Sequence, residues 1–399
     1  MLHVVQGALR GERPRDVVRR STIIGIVSFL TLIDLFGSQA LLPRLVDAFG
    51  TDTGTMGVAV NASTFGMAAS GLTVAWFADR IDRKRGIWIS LALLSVPTFL
   101  LGFVDSVWAF MALRVAQGVF MAAAFTLTMT YLSEQCDITA ASGAMAAYIT
   151  GNVASNLFGR LLAVSSADIA GLTGSFAFFA VLNLIGAAVA LILIGPKDEQ
   201  KPMRGGPPLQ AWREHIGRAE LRAAFALGFV ILFVFVGVFT YVNLHLVENL
   251  GVAPAALGLV YLVFAPALFT TPLASGAVRR WGPRPVFWAS MAAALGGLAM
   301  TLSPSLIPVL IGLAIIGSGT FFAQAAATGF VGRAAKTNRA AANGLYLTCY
   351  YIGGLVGAFV LGQANNVWAW GGVAGIVAGL LILAAVVARN LKETSPTAS

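Results

Sequence analysis

The sequence predicts an all-α integral membrane protein whose twelve transmembrane helices form two pseudo-symmetric six-helix bundles. Composition is the first reason: 58% of the 399 residues are hydrophobic and only 11% are charged. An ordinary soluble domain carries about 25% charge, so most of this chain must face lipid or other apolar helices. The second reason is a series of apolar stretches near 22–43, 55–78, 86–104, 107–132, 140–163, 172–195, 223–246, 255–278, 286–303, 306–332, 341–363 and 367–388. These suffice to span about 30 Å of hydrocarbon. The third is an internal repeat. Asp79-Arg80-Ile81-Asp82-Arg83-Lys84-Arg85 is echoed by Arg279-Arg280-Trp281-Gly282-Pro283-Arg284 at an offset of 200. Tyr148, Ser155, Asn156 and Gly159 line up with Tyr346, Gly353, Gly354 and Gly357 at an offset of 198. One six-span module is thus written twice.

The elements follow in order. The first apolar stretch has a basic segment before it, as a signal peptide would, but it is too long for an h-region and lacks a small-x-small cleavage site, so it reads as an uncleaved first helix. Residues 1–195 form the predicted first bundle and 222–399 the second. Between them, 196–221 follow Gly195, begin at Pro196 and include Gly205-Gly206-Pro207-Pro208, too polar to span and too long for a tight turn. This is the predicted linker. Trp212 with Arg213, Arg218 and Arg222 suits a short amphipathic helix at its end, and a plain loop fits almost as well. Pro97, Pro266, Pro272 and Pro308 would disfavour soluble helices but are tolerated in membrane bundles. Trp88, Trp108, Trp281, Trp288 and Trp368 fall near span ends, as an aromatic belt requires.

A net charge of +9 could suggest a nucleic-acid partner, so its distribution decides the matter. All 26 Lys and Arg except Arg44, Arg114 and Arg160 lie in the N-terminal tail, in every second connection, or at the C-terminus. The other connections carry mainly Asp47, Asp52, Asp105, Asp168 and Glu248. The positive-inside rule then places both termini and the linker in the cytoplasm and leaves nothing for nucleic acid. Cys136 and Cys349 imply no disulfide framework. Three scattered histidines and two cysteines offer no metal spacing, and no phosphate cradle follows a strand. The expectation is a protein with no cofactor and no enzymatic activity, driven by an ion gradient or by its solute's own gradient.

Charge inside a bilayer is costly, so deep ionisable residues are functional candidates. Asp34 sits about 18 Å into helix 1 from its start near residue 22. Arg114 enters helix 4 from the other surface and reaches a matching depth. Burial disfavours a charged carboxylate and a guanidinium favours it, so Asp34 is a candidate proton carrier tuned by Arg114. A static structural pair is the alternative.

Two further runs carry a family resemblance. AWFADRIDRKRG (Ala75 to Gly86) resembles the loop signature of the major facilitator superfamily between helices 2 and 3, with Ala75 and Asp82 where that signature has glycines. RVAQG (Arg114 to Gly118) resembles the superfamily's helix 4 signature, associated there with proton coupling. The resemblance implies alternating-access transport of a small molecule through a bilayer by a monomer. It also implies a cytoplasmic gate in which Asp79 pairs with basic groups among Arg80, Arg83, Lys84, Arg279 and Arg280, with Asp82 as a second acid of the lock; a topology determinant is the other reading of the same run. GAMAAYITGNVASNLFGR in helix 5 resembles the antiporter signature imperfectly, with Gly151-Asn152 and Ser155-Asn156 at its glycine and proline positions. Asn152 and Asn156 suit either a substrate or an interhelical bond. Arg160, near the expected outer end of helix 5, suits either snorkelling to the surface or attraction of an anion.

The superfamily's cavity lies between helices 1, 4, 7 and 10, with help from 2, 5, 8 and 11. Carried onto this chain, that suggests Gln39, Gln117, Asn152, Asn156, Asn243, Gln324, Tyr350 and Tyr351 as cavity residues beside Asp34 and Arg114. Tyr346, Tyr350 and Tyr351 suit packing or an aromatic wall, and His245 beside Glu248 reads as solvated. The runs LLPRL (Leu41 to Leu45), TYLSEQ (Thr130 to Gln135) and YYIGG (Tyr350 to Gly354) resemble bacterial inner-membrane permeases of the arabinose-efflux and drug/proton antiport branch. Proton-coupled efflux is therefore expected, with an importing symporter or facilitator as the alternative and a receptor that has lost transport as a third.

Overall fold

The computed structural model describes residues 14–77, 81–135, 138–194, 208–253, 256–335 and 338–391. Among these, every regular element is helical. The first half contains α1 (Pro14–Ala40), the short α2 (Leu42–Phe49), α3 (Thr53–Phe77), α4 (Arg83–Leu100), α5 (Val107–Gln135) and α6 (Ile138–Leu193). A short α7 (Pro208–Gly217) ends the linker. The second half runs through α8 (Ala219–Glu248), α9 (Leu257–Val260), α10 (Ala265–Thr270), α11 (Ala274–Trp281), α12 (Pro283–Met300), α13 (Leu306–Ala334) and α14 (Arg339–Val387).

Among the described residues eight helical segments are long and apolar enough to cross a membrane; dividing the two longest makes ten, and α3 and α12 complete twelve spans. Apolar segments Ala146–Leu193 and Ala341–Asn390 are 48 and 50 residues long, about twice what one crossing needs. Each is broken once, at Gly171 (φ 70°) and at Ala369 (φ 50°), 198 residues apart. At the first break the chain doubles back. The Ser166 and Ser175 hydroxyls are 2.8 Å apart, whereas nine residues of straight helix would hold them about 13 Å apart. The loop expected at 164–171 is thus a single-residue turn between helices, and the second break falls at Ala369, three residues beyond the loop expected at 364–366.

Glycine adopts a positive φ freely and alanine does not. Ala369 has φ 50° and ψ −154°, a region that is essentially glycine-only and costs about 1–3 kcal/mol. Ala369→Gly is expected to stabilise the purified protein by about 1 kcal/mol, seen as a higher thermal midpoint in detergent. An unchanged or lower midpoint would show that this turn is not strained.

The expected span 255–278 is one run of alternating α and 3-10 turns. Pro266 and Pro272 stand in the first turns of α10 and of the 3-10 segment Thr271–Leu273, because proline lacks the N–H that a continuous ladder needs. α1 packs on α6 and α3 on α5; in the second half α8 packs on α14 and α12 on α13. The two halves meet through α3 against α14 and α6 against α13 and α10. Gly159 faces the Ile33 backbone of α1 and its repeat mate Gly357 faces the Phe233 backbone of α8, so the same close helix crossing is used twice.

The linker does end in a helix, α7. Its Trp212 lies edge-on to Trp76 of α3, with ring centroids 5.4 Å apart. His215 is buried, its Nε2 3.3 Å from the Asn338 carbonyl oxygen. Burial pushes the imidazole below its ordinary pKa, so it packs as a neutral ring between linker and α14. Trp108, Trp281, Trp288 and Trp368 are exposed near helix ends, and Trp88 is partly buried.

Candidate functional site

The bundle has a linker side, which bears α7, and a far side, which bears the Gly171 and Ala369 turns. Asp34 of α1 is 1% exposed. Its Oδ2 is 3.0 Å from Thr98 Oγ1 of α4, 3.1 Å from Gln117 Nε2 of α5 and 3.2 Å from Asn183 Nδ2 in the second arm of α6. Its Oδ1 is buried without a hydrogen-bond partner. Arg114 is fully buried beside it. The guanidinium donates from Nε to the Val60 carbonyl (2.8 Å), from Nη2 to Ser63 Oγ (3.0 Å), and from Nη1 to Ser38 Oγ (3.2 Å) and Gln117 Oε1 (2.6 Å).

The two charges expected to pair are thus neighbours without a direct ion pair. Gln117 stands between them, accepting from Arg114 through Oε1 and donating to Asp34 through Nε2. The reason lies in the register of α5: Gln117 follows Arg114 by three residues, so the two share a face, and the carboxamide reaches the carboxylate first. The Thr98 hydroxyl has one hydrogen and two acceptors within reach, Asp34 Oδ2 and the Leu94 carbonyl at 2.8 Å.

A second polar cluster surrounds Arg160, which is 3% exposed. It does not snorkel. The first arm of α6 continues to the Gly171 turn, so Arg160 lies about 16 Å before the helix end instead of beside it. Its Nε donates to Asn156 Oδ1 (3.0 Å) and its Nη2 to Gln39 Oε1 (2.7 Å) of α1. Gln39 Nε2 in turn donates to Asn61 Oδ1 of α3 at 3.0 Å. The guanidinium carbon sits 4.2 Å from the centroid of the Tyr261 ring and 5.8 Å from that of Phe36. Tyr261 belongs to the other half, and its hydroxyl accepts from Asn243 Nδ2 of α8 at 2.9 Å. Arg160 therefore bridges the halves. Closer to the linker side, Thr348 Oγ1 donates to the Ala68 carbonyl across the same seam at 3.3 Å.

The remaining cavity candidates are buried except Asn243, which is half-buried. Asn152 keeps an unpartnered Oδ1, Asn156 an unpartnered Nδ2, Asn243 an unpartnered Oδ1 and Gln324 an unpartnered Nε2. Tyr350 packs between Tyr346 and Tyr351, at centroid distances of 6.1 and 5.4 Å. His245 does not stand alone in solvent; it stacks on Trp370, with centroids 5.5 Å apart.

At the proposed gate, Asp79 and Arg80 lie outside the described residues. Asp82 caps the N-terminus of α4, its Oδ1 accepting from the Arg85 backbone N–H at 2.8 Å. Arg83 is buried and donates from Nη1 to the Ile81 carbonyl at 3.0 Å, while Lys84 is partly buried. Arg279 and Arg280 are exposed in the last turn of α11, where cations favour the helix dipole, and Arg280 lies 5.4 Å from the Trp281 ring centroid. Ser38, Ser63, Thr98, Asn183, Asn61 and Tyr261 were missed in the sequence. Asn183, a lone amide inside an apolar span, was the legible one.

The chain's similarity to known proteins agrees with this architecture. The Major Facilitator Superfamily model matches residues 24–265 and 224–399. The inner membrane transport protein YnfM of Escherichia coli (strain K12) is 28% identical over 360 residues, covering 90% of this chain and 86% of YnfM. The uncharacterized MFS-type transporter YybF of Bacillus subtilis (strain 168) is 25% identical over 359 residues, covering 89% of each. Among solved structures, the human organic anion transporter MFSD10 shares the fold with a TM-score of 0.70 at 15% sequence identity, over 94% of this chain and 98% of that one. With six spans repeated, polar groups buried along the seam and a family match over nearly its whole length, the chain belongs to the major facilitator superfamily and is a multi-pass membrane transporter of small molecules.

Proposed function

We propose that this transporter moves a small organic solute out of the cell in exchange for protons, across an inner membrane, with both termini and the linker side facing the cytoplasm. The observation that carries the reading is Asp34: a carboxylate buried in the first half, with three donors on Oδ2 and an Oδ1 that no group satisfies. A buried charge so incompletely compensated costs several kcal/mol, and taking up a proton removes it. The surroundings tolerate both forms. Thr98 donates to the charged carboxylate or turns to the Leu94 carbonyl, while Gln117 holds Arg114 close without neutralising Asp34 outright. Alternating access then requires that proton uptake and solute binding favour different arrangements of the two halves. The outward direction is supported by the LLPRL and YYIGG resemblances, and the orientation by the charge asymmetry.

A second reading, inward symport, is favoured by Arg160. A solute anion accompanied by a proton carries no net charge.

The test uses inverted membrane vesicles with an imposed pH gradient and a panel of cationic, neutral and anionic solutes. Exchange releases protons from the lumen when a transported solute is added, and symport moves both in the same direction. Asp34→Asn is expected to reduce either signal to background while the protein remains inserted at wild-type levels. Coupling retained in that variant would remove Asp34 from the mechanism.

A further inference from the structure

We infer that Arg160 is the anchor of a site for an organic carboxylate at the seam between the halves. The inference names a substrate class for the transporter proposed above and rests on that reading only for what happens after binding. Arg160 is a buried cation, and no carboxylate among the described residues lies within ion-pair distance of it. Its protein partners among the described residues are all neutral: the carboxamide oxygens of Asn156 and Gln39, the Tyr261 hydroxyl, and the faces of the Tyr261 and Phe36 rings. Amide oxygens and ring quadrupoles soften the cost of burying a guanidinium but do not cancel its charge. Arg114, by contrast, has a carboxylate in its own cluster.

An independent feature points the same way. Asn156 presents Oδ1 to Arg160, which turns its Nδ2 away as a buried donor without an acceptor. The orientation of Gln39 is set likewise, because its Nε2 is already committed to Asn61. The cluster therefore combines an uncompensated positive charge with a spare N–H donor and offers no negative group, the complement of a carboxylate.

The position gives binding a consequence. Tyr261 covers the guanidinium from the other half and is itself held by Asn243. A carboxylate that takes the guanidinium competes with that ring, so ligand binding and closure of this part of the seam exclude one another. Ligand binding is thereby coupled to the relative position of the halves, which a surface arginine could not achieve.

The test measures binding to the purified full chain in detergent by thermal shift and by equilibrium dialysis. The probes are acetate, hexanoate, benzoate and 1-naphthoate, each beside its neutral amide, with benzylammonium as the cation. At least one carboxylate is expected to stabilise the wild type where its amide and the cation do not. Arg160→Gln should weaken that binding about 10- to 100-fold, as expected for loss of a charge-assisted hydrogen bond. Arg160→Lys keeps the charge and loses the fork, so it should fall between them and serves if Arg160→Gln is not recovered folded. No carboxylate bound better than its amide, or equal carboxylate affinity in the Arg160 variants, would overturn the site. Carboxylate binding that depends on Arg160, with no proton movement in the vesicle assay, would retain this site and discard proton coupling. Proton coupling lost in Asp34→Asn, with a cation as the bound probe, would do the reverse.

Discussion

Replacing Arg114 with leucine is expected to cost about 3–5 kcal/mol, the range for removing one partner of a buried charged network. The variant should be recovered from membranes in much lower yield and unfold at lower denaturant in detergent. The guanidinium ties three helices through Val60 and Ser63 of α3, Ser38 of α1 and Gln117 of α5. Leucine fills the space but strands these acceptors, each at a desolvation cost of about 1–3 kcal/mol. It also removes the one positive charge beside Asp34 among the described residues. Arg114→Lys should recover part of the loss, because one ammonium cannot reach all four acceptors. If Arg114 mainly offsets the Asp34 charge, adding Asp34→Asn to Arg114→Leu should restore stability relative to the sum of the single changes. Strict additivity would assign Arg114 to helix tethering alone.

Gly118→Leu is expected to be as severe for a different reason. A side chain at Gly118 runs into the Ser63 carbonyl of α3, and one at the facing Gly66 runs into the Val115 carbonyl of α5. The overlap is with backbone, so no rotamer relieves it, and α3 and α5 must separate. Overpacking commonly costs about 1–3 kcal/mol where side chains can adjust; here the loss should exceed that range and appear as absence of a monodisperse peak on size-exclusion chromatography. Gly375→Leu is the control, since nothing lies within 4 Å of its added Cβ. Wild-type behaviour of Gly118→Leu would mean that the α3 and α5 crossing is not as close as described. Both residues belong to the run Arg114 to Gly118: its two ends thus hold one helix pair together, by a fork of hydrogen bonds and by the absence of a side chain.

Much of the fold was legible because membrane insertion is a local property. Each span shows itself in about 20 consecutive residues, and the basic asymmetry of the connections needs only the chain order. The repeat was legible for the same reason, and its offset of 198 reappears in the Gly171 and Ala369 turns. What local reading misplaced were the ends of the spans. Helix 5 was closed at residue 163, although nothing between there and Gly171 breaks a helix, and this shortening made Arg160 look superficial. The proline-bearing span expected at 255–278 reads as one regular helix, whereas Pro266 and Pro272 leave the ladder incomplete and 3-10 turns interrupt it.

The sequence by itself determined that twelve helices cross a membrane as two copies of one module, and that Asp34 and Arg114 lie deep in the first copy, since hydropathy, charge and repeat depend only on residues near one another in the chain. Only the tertiary structure decided that Gln117 separates that pair, that Asn183 and Thr98 join Asp34, and that Arg160 meets Tyr261 across the seam. Those partners stand between 64 and 149 residues from Asp34 in the first cluster, and their meeting depends on which faces of packed helices turn toward one another. Hydrophobic periodicity carries almost no record of that rotation in spans that are apolar on every side.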